Sequence, residues 1–273
     1  MTHPRDGAPE KDPIVARDFS DWTAKIVDAV SRSWRRLFIL QAIVAVPVAL
    51  ASALAAYSAG DGLTTLMTDL GNRTHVTIDR PGSFAVAVAL LALFALIIGA
   101  LVQVASVWLI VKDTERAAPI EQALRFGAAR MLPLIGWEIV AGLMIVVGFV
   151  LIVPGIYLAV VMVPSLVGVV VFDRVGIKRC FQLARGQFFA LLGRCLMALL
   201  FAAAYSQLVT LVIKLIFGST DPSAWASEIV SGLLNLPLQV IASAFLVITY
   251  AELRGHESGT TTRQLSAQLD APR

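Results

Sequence analysis

The chain has 273 residues, of which 58% are hydrophobic and only 15% charged, and its formal net charge is +3. A soluble domain has about half apolar and about a quarter charged residues, so this composition excludes an ordinary soluble globular protein. It predicts a chain that lies largely within a membrane.

Six continuous apolar stretches follow one another along the chain. An α-helix needs roughly 20 such residues to cross a hydrocarbon core of about 30 Å, and only the fourth stretch is short. The stretches are 37–57, 84–111, 131–153, 156–172, 195–217 and 229–250. They are continuously apolar rather than alternating, which excludes a transmembrane barrel. We therefore predict an all-α integral membrane protein with six transmembrane helices.

The two ends of the chain are polar, and we expect both to be disordered, solvated tails. These tails are 1–17 and 253–273, so the predicted membrane domain covers 18–252. The N-terminal segment has no short apolar region followed by a small-residue cleavage site, so we expect no cleavable signal.

Lysine and arginine predict the orientation. They are concentrated in four segments that flank the spans, namely 1–36, 112–130, 174–194 and 254–263. The opposite side has only Arg73, Arg80 and Lys214. The positive-inside rule then places both termini in the cytoplasm, and we expect a bacterial plasma membrane protein. This bias accounts for the pI near 9.1, and the sequence contains no nucleic-acid-binding motif.

Three amphipathic segments precede the first, third and fifth spans and align without gaps. They read KIVDAVSRSWRRLFILQA, PIEQALRFGAARMLPLIG and GIKRCFQLARGQFFALLG. Such segments typically lie in the membrane interface. We predict three parallel repeats (about 18–111, 114–172 and 173–252), each an interfacial amphipathic helix followed by a helical hairpin. The alternative is that any amphipathic segment before a span shows such a pattern.

The stretch FVLIVPGIYLAVV contains a helix-breaking pair, Pro154 and Gly155, within an apolar run. Proline cannot donate a backbone hydrogen bond, and glycine permits a tight reversal, so this pair can close the middle hairpin. Unpaired backbone groups are costly in lipid. We therefore expect the tip either to be buried in protein or to lie in the outer headgroup layer.

The stretch PGIYLAVVMVPSLVGVVVFDRVGIKRCFQLARG resembles the membrane domain fused to some bacterial glycerophosphodiester phosphodiesterases, and its stand-alone relatives. That family has Pro-Gly-(Ile/Leu)-Tyr, an apolar helix, an acidic residue and Arg-Ser-x-x-Leu-x-x-Gly. The matching residues here are Pro154, Gly155, Ile156, Tyr157, Asp173, Arg179, Leu183 and Gly186. Cys180 replaces the usual serine, and residues 160–162 are apolar where relatives often carry arginine. The resemblance implies a six-helix membrane domain, and the family's catalytic barrel has no counterpart in this chain.

Glu138 is the one acid well inside a predicted span. A charge there costs about 2.5–3.5 kcal/mol on insertion scales and usually faces an interior or a cavity. We consider a polar site formed with amides on other spans, or instead a structural acid that is neutral or paired with Arg130 or Arg194. The amides, for which interhelical hydrogen bonding is the simpler interpretation, are Gln41, Gln103, Gln207, Asn235 and Gln239.

The densest basic cluster is Lys178, Arg179 and Arg185. These residues are candidates for contacts with anionic lipid headgroups, although topology alone also explains them. Asp173 is expected to cap the third amphipathic helix or to pair with Arg179. The two cysteines are expected to be inert thiols. No phosphate loop, nucleophile elbow, metalloprotease motif or CxxC occurs, so we predict no catalytic residue, metal or cofactor.

Two functions remain open. The first is a non-enzymatic membrane protein that organises or senses lipids, or assists a membrane process, with lipids as partners and any protein partner unknown. The alternative is a small transporter or channel with Glu138 in its pathway. The first predicts a filled core, and the second predicts a water-accessible cavity that reaches Glu138. An enzyme acting on lipids ranks third, because the sequence shows no polar cluster that could carry it.

Overall fold

A computed structural model describes residues 12–59, 81–217 and 224–270, and within these ranges every regular element is a helix. The first five helices are α1 (Phe19–Ala59), α2 (Pro81–Lys112), α3 (Ile120–Phe149), α4 (Val153–Met162) and α5 (Leu166–Gly168), which continues into a π-helical turn (Val169–Asp173). The others are α6 (Lys178–Ala184), α7 (Phe188–Phe217), α8 (Ala224–Leu234), α9 (Leu236–Ser258) and α10 (Thr262–Asp270).

Five of these helices are long and apolar enough to cross a membrane, namely α1, α2, α3, α7 and α9. A sixth span results if α4 and the segment Leu166–Asp173 are counted together, although they are bent by 46° at their junction. The prediction of an all-helical chain with several helices long and apolar enough to span a membrane is therefore confirmed for the described residues. The expected last stretch, 229–250, is instead divided between α8 and α9, since Pro237 lies in the first turn of α9.

The core lies between α1, α2, the π-helical turn and α9. Its best-buried part is close to one end of the bundle, where α2 and the π-helical turn finish and where α3 and α7 begin. We call this the charged end. In contrast, α7 lies at the margin of the fold. Only 6% of its most apolar stretch is buried, compared with 61% for α9.

The amphipathic segments are not all separate helices. In the first two cases the segment and the span that follows form one continuous helix, α1 or α3. The third segment is separate, because α6 ends at Ala184 and Gly186 adopts a φ of +81° before α7 begins. Glycine adopts this left-handed backbone without a steric penalty. The aligned positions in the first two segments hold Arg35 and Ala129, which let the helix continue.

The hairpin between α3 and α4 reverses just before Pro154 rather than at it. Helix α3 ends at Phe149, and Ile152 carries the unusual φ of +55° that turns the chain. Pro154 occupies the first turn of α4, where its missing N–H is tolerated. Gly155 is buried against α3, where an added Cβ would lie 2.6 Å from Phe149 Cα. The tip is apolar and exposed within this chain, with Val150 80% accessible.

The expectation of a disordered C-terminal tail at 253–273 is wrong for residues 253–270. Helix α9 continues to Ser258, and α10 packs Leu265 and Leu269 into the fold. These leucines are four residues apart and share one helix face, which is the pattern of an amphipathic packing helix. The expected N-terminal tail, 1–17, is likewise ordered from residue 12 onward, with Ile14 completely buried. Residues 1–11 and 271–273 lie outside the described residues.

The crossing of α3 and α4 predicts that Gly155→Ala destabilises the protein by about 1–3 kcal/mol, because the new methyl group overlaps the backbone of Phe149. The matched control is Gly136→Ala in α3, where nothing lies within 4 Å of the added Cβ. That change should be neutral or stabilising by up to about 1 kcal/mol through helix propensity. Thermal unfolding in detergent micelles measures both, and equal stabilities would contradict the close crossing.

Candidate functional site

The proposed intramembrane polar residues do not form one hydrogen-bonded site in the described part of the chain. Glu138 is half-buried in α3 and has no hydrogen bond or ion pair there. Gln207 is exposed on α7, and the side-chain oxygen of Gln103 is buried without a partner. Asn235 donates to the carbonyl oxygen of Ser231, 2.8 Å away and one turn earlier.

The amide of Gln41 does link two helices, as the simpler interpretation predicts. Its Nε2 donates to Ser243 Oγ of α9 at 2.8 Å. The backbone carbonyl of Gln239 accepts a hydrogen bond from the same Ser243 hydroxyl at 3.0 Å. This part of the polar set therefore contributes to helix packing.

The charged end, by contrast, brings charged side chains together. Three acids lie at or near the ends of the helices that return to it: Asp113 after α2, Asp173 at the π-helical turn and Glu252 in α9. Their side chains are 3%, 10% and 1% exposed, and each accepts from an arginine. A buried carboxylate is costly unless it is paired and hydrogen-bonded, so these contacts stabilise the acids at their positions.

Asp113 connects α1 with the segment that joins α2 to α3. It accepts from the guanidinium of Arg36 and from the Ser33 hydroxyl, the latter at 2.6 Å. The oxygen that accepts from Arg36, Oδ1, also accepts from the backbone N–H of Ala118 at 3.2 Å. One carboxylate thereby orients α1, α2 and the start of α3.

Asp173 joins the π-helical turn to α6 and α9. It accepts from Arg179 Nε at 3.2 Å, which confirms the expected pair, and it also accepts from Arg254. Arg179 further donates to Glu257 Oε1 at 2.7 Å. Of the three candidate lipid contacts, Arg179 is therefore engaged by two carboxylates, whereas Lys178 and Arg185 are exposed.

Glu252 and Arg194 form the most deeply buried ion pair among the described residues. The guanidinium of Arg194 also lies 5.8 Å from the ring centroid of Trp22, and Trp22 Nε1 donates to Thr249 Oγ1 at 3.1 Å. This cluster joins α7 to α1 and α9. Arg194 therefore pairs with Glu252 rather than with Glu138.

Arg130 is the other arginine that the sequence offers as a partner for Glu138. Its side chain instead points toward the π-helical turn that ends the middle hairpin. Its guanidinium donates to the carbonyl oxygen of Val171 at 2.8 Å and lies 4.3 Å from the ring centroid of Phe126. Sequence analysis missed Asp113 and Glu252 as structural anchors. The available signal is that an acid follows, or lies near the end of, each returning apolar stretch.

The two ends of the described chain are fastened to each other. Asp12 accepts from the backbone N–H of Thr262 at 2.8 Å and from its hydroxyl, and it also caps the N–H groups of Ile14 and Val15. Burial by itself raises the pKa of Asp12. The hydrogen bonds from Thr262, Val15 and Ile14 outweigh burial and lower that pKa below its ordinary value of 3.8. Lys112 holds the other end of α10 through Asp270 at 2.6 Å.

Burial raises the pKa of the Cys180 thiol, so this side chain behaves as a small apolar group of the core. In the parts of the chain that are described, no three His, Cys, Asp or Glu side chains are placed to hold a metal ion. Comparison with models of known protein families, with curated proteins and with solved structures gives no significant match.

The buried ion pair predicts that Arg194→Met destabilises the protein by about 3–5 kcal/mol, because it leaves the Glu252 carboxylate buried without its cation. The matched control is Arg125→Met, whose pair with Glu121 has side chains 79% and 74% exposed. That change should cost no more than about 1 kcal/mol. Chemical or thermal unfolding in micelles compares the two variants, and similar losses would argue against a special role for the buried pair.

The terminal contact predicts that Asp12→Ala releases α10 without unfolding the spans. A lowered carboxyl pKa stabilises the folded form fully above the unfolded value of 3.8 and ceases to do so as the pH falls through the lowered folded value. Amide hydrogen exchange of α10 should therefore accelerate over this acidic range in the wild type. In Asp12→Ala it should be fast already at neutral pH.

The control for this experiment is Asp28→Ala, which removes an exposed pair with Arg32 on the same face of α1. It should leave α10 protected. If Asp12→Ala also leaves the exchange of α10 unchanged, the side-chain contacts of Asp12 do not hold that helix.

Proposed function

We propose that this chain is a non-enzymatic integral membrane protein of the bacterial plasma membrane that organises or senses anionic lipids at the cytoplasmic leaflet. Both termini would then be cytoplasmic, and the charged end would face that leaflet. The observation that carries the proposal is the pairing of exposed cations with exposed apolar helix faces at the charged end. This is the combination that a lipid with an anionic headgroup and acyl chains would contact.

Exposed apolar side chains supply one half of this argument. Phe189, at the beginning of α7, is 83% exposed, and Leu132 near the beginning of α3 is 71% exposed. Contiguous apolar surface of this kind is costly in water and suited to acyl chains. The faces of α3 and α7 would therefore be covered by lipid.

Exposed basic side chains supply the other half. Lys178 begins α6 and Arg185 follows it, so both lie within a short chain distance of Phe189. Arg179, between them in the sequence, is neutralised by Asp173 and Glu257, whereas these two are exposed. Each basic residue near an anionic surface contributes about 1 kcal/mol of attraction.

We further propose that the chain consists of three parallel repeats, and the burial pattern supports this. The aligned residues Leu40, Leu134 and Leu191 are each 0% exposed. The aligned residues Ala29, Ala123 and Cys180 are also each 0% exposed. A chance resemblance among amphipathic segments would not require the same positions to enter one core.

Arginine contacts support the repeats independently. In each unit an arginine of the helix that leads away from the charged end contacts the end of the returning segment, although Arg194 lies seven residues beyond the position that aligns with Arg36 and Arg130. The three contacts are Arg36 with Asp113, Arg130 with the Val171 carbonyl and Arg194 with Glu252. The resemblance to the phosphodiesterase-fused membrane domain likewise stays a proposal. In its favour, the ring of Tyr157 stacks on that of Phe181 at a centroid distance of 6.1 Å and so joins the two halves of the motif.

A transporter or channel is the second candidate, and the observation in its favour is Glu138, a half-buried acid without a described partner. Against it stands the filling of the bundle near the charged end. There Leu37, Leu40, Leu134 and Leu191 have no exposed surface. A continuous polar path from this end to Glu138 would have to displace those side chains.

The lipid proposal predicts that Lys178→Gln/Arg185→Gln lowers retention of phosphatidylglycerol about thirtyfold, as expected for two lost attractions of about 1 kcal/mol each. Native mass spectrometry of the detergent-extracted protein measures the retained lipids. The matched control is Arg116→Gln/Arg125→Gln, which removes two exposed cations from the segment before α3. Equal loss in both double variants would reject a lipid site at α6. Cation or solute flux in proteoliposomes that disappears in Glu138→Gln would favour the transporter instead.

A further inference from the structure

The Glu252–Arg194 cluster has features that packing alone does not require. Glu252 is 1% exposed, yet its Oε2 has no hydrogen-bond partner among the described residues. Arg194 Nε is likewise buried without a partner in the described ranges. Buried polar atoms are nearly always satisfied, and exceptions are commonly found where a group changes its protonation or binds a ligand.

The groups that face Glu252 come from three helices. Arg194 approaches from α7, while Asp21 and Lys25 approach from α1, where they pair with each other at 2.8 Å. His256 lies one turn further along α9, with its Nε2 3.7 Å from Glu252 Oε1. With Glu252 ionised and His256 neutral, the negative charges of Glu252 and Asp21 equal the positive charges of Arg194 and Lys25. Uptake of one proton therefore leaves the cluster with a net positive charge next to Arg194.

His256 provides a route for that proton. Its side chain is 40% exposed, whereas Glu252 is enclosed. Imidazole exchanges protons near neutral pH, which makes a partly exposed histidine beside a buried carboxylate a suitable donor. On this route a proton from water would bind His256 and pass to a Glu252 carboxylate oxygen, which would return His256 to its neutral form.

The state of Glu252 matters most for α7. This helix is the least buried of the candidate spans, and polar side chains of the described residues link it to other helices. One link is Arg194 to Glu252, and another is the Tyr205 hydroxyl donating to the Leu234 carbonyl at 2.5 Å. Loss of the carboxylate charge removes the stronger link at the charged end.

We propose that Glu252 is a proton-binding site, reached from the charged end through His256, whose protonation releases α7 from α1 and α9. The proton is the ligand, and its binding weakens the buried Arg194–Glu252 ion pair that holds α7. This role concerns the contacts of α7 and does not depend on which lipids the exposed cations bind.

Infrared difference spectroscopy of the full-length protein in lipid nanodiscs tests proton binding. Lowering the pH from about 8 to about 5 should produce the carbonyl band of a buried protonated carboxylic acid. The band should be absent from Glu252→Gln and present in Glu138→Gln, which removes a half-buried carboxylate from a different spanning helix. No band in the wild type, or a band that persists in Glu252→Gln, would overturn the proposal.

The native thiol next to Arg194 reports the movement of α7. Cys195 packs against the core, and Cys180→Ala leaves it as the single cysteine while matching the alanines at the aligned repeat positions. Glu252→Gln imitates the protonated acid. In this background it should speed alkylation of Cys195 about tenfold at constant pH, as expected for local opening. Glu138→Gln should leave the rate unchanged. An unchanged rate in Glu252→Gln would show that the charge of Glu252 does not hold α7 in place.

If Glu252→Gln does not fold, a variant of His256, at the exposed end of the proposed proton route, still tests the proposal. His256→Gln preserves the Arg194–Glu252 pair and changes a partly exposed side chain. After a rapid pH drop, its carboxylic acid band should appear about tenfold more slowly than in the wild type, because the donor is lost. The same rate in both proteins would exclude His256 as the route.

Discussion

The structure depends on one constraint, the high cost of an unpaired charge next to apolar helices. Asp113, Asp173 and Glu252 lie where returning apolar segments approach the charged end, and each is nearly enclosed by protein. An enclosed carboxylate is stable there only with a cation and further donors around it. The arginines that meet this need belong to other elements, so satisfying each acid also determines which helices are neighbours.

The same constraint explains why packing is uneven. Small residues and leucines fill the region around these pairs, and Leu40, Leu134 and Leu191 are completely buried there. The outer faces of the helices, including Leu132 and Phe189 near the charged end, expose large apolar side chains, which a membrane solvates well and water does not. Helix α7 is the extreme case, since it is largely exposed yet carries a buried arginine. That contrast makes one ion pair important for the position of a whole helix.

Functional interpretation follows from where charge is neutralised and where it is not. Arg179 pairs with Asp173 and Glu257, whereas Lys178 and Arg185 are exposed. Glu138, the most conspicuous acid in the sequence, has no described partner and does not join the other proposed polar residues. Paired charges thus hold neighbouring helices together, and the cations proposed to contact lipids are two that stay exposed.

The sequence by itself determined the helical class, the approximate spans and the amphipathic segments. These properties depend on local composition and on the 3.6-residue period, both of which are visible in one dimension. It also suggested a pair between Asp173 and Arg179 as one of two roles for Asp173, and the structure contains that pair. Only the tertiary structure decided that Arg194 meets Glu252, that Thr262 meets Asp12 and that the middle hairpin turns at Ile152. These features depend on which distant segments are neighbours and on which backbone can bear the strain of a reversal, and neither is encoded in a local pattern.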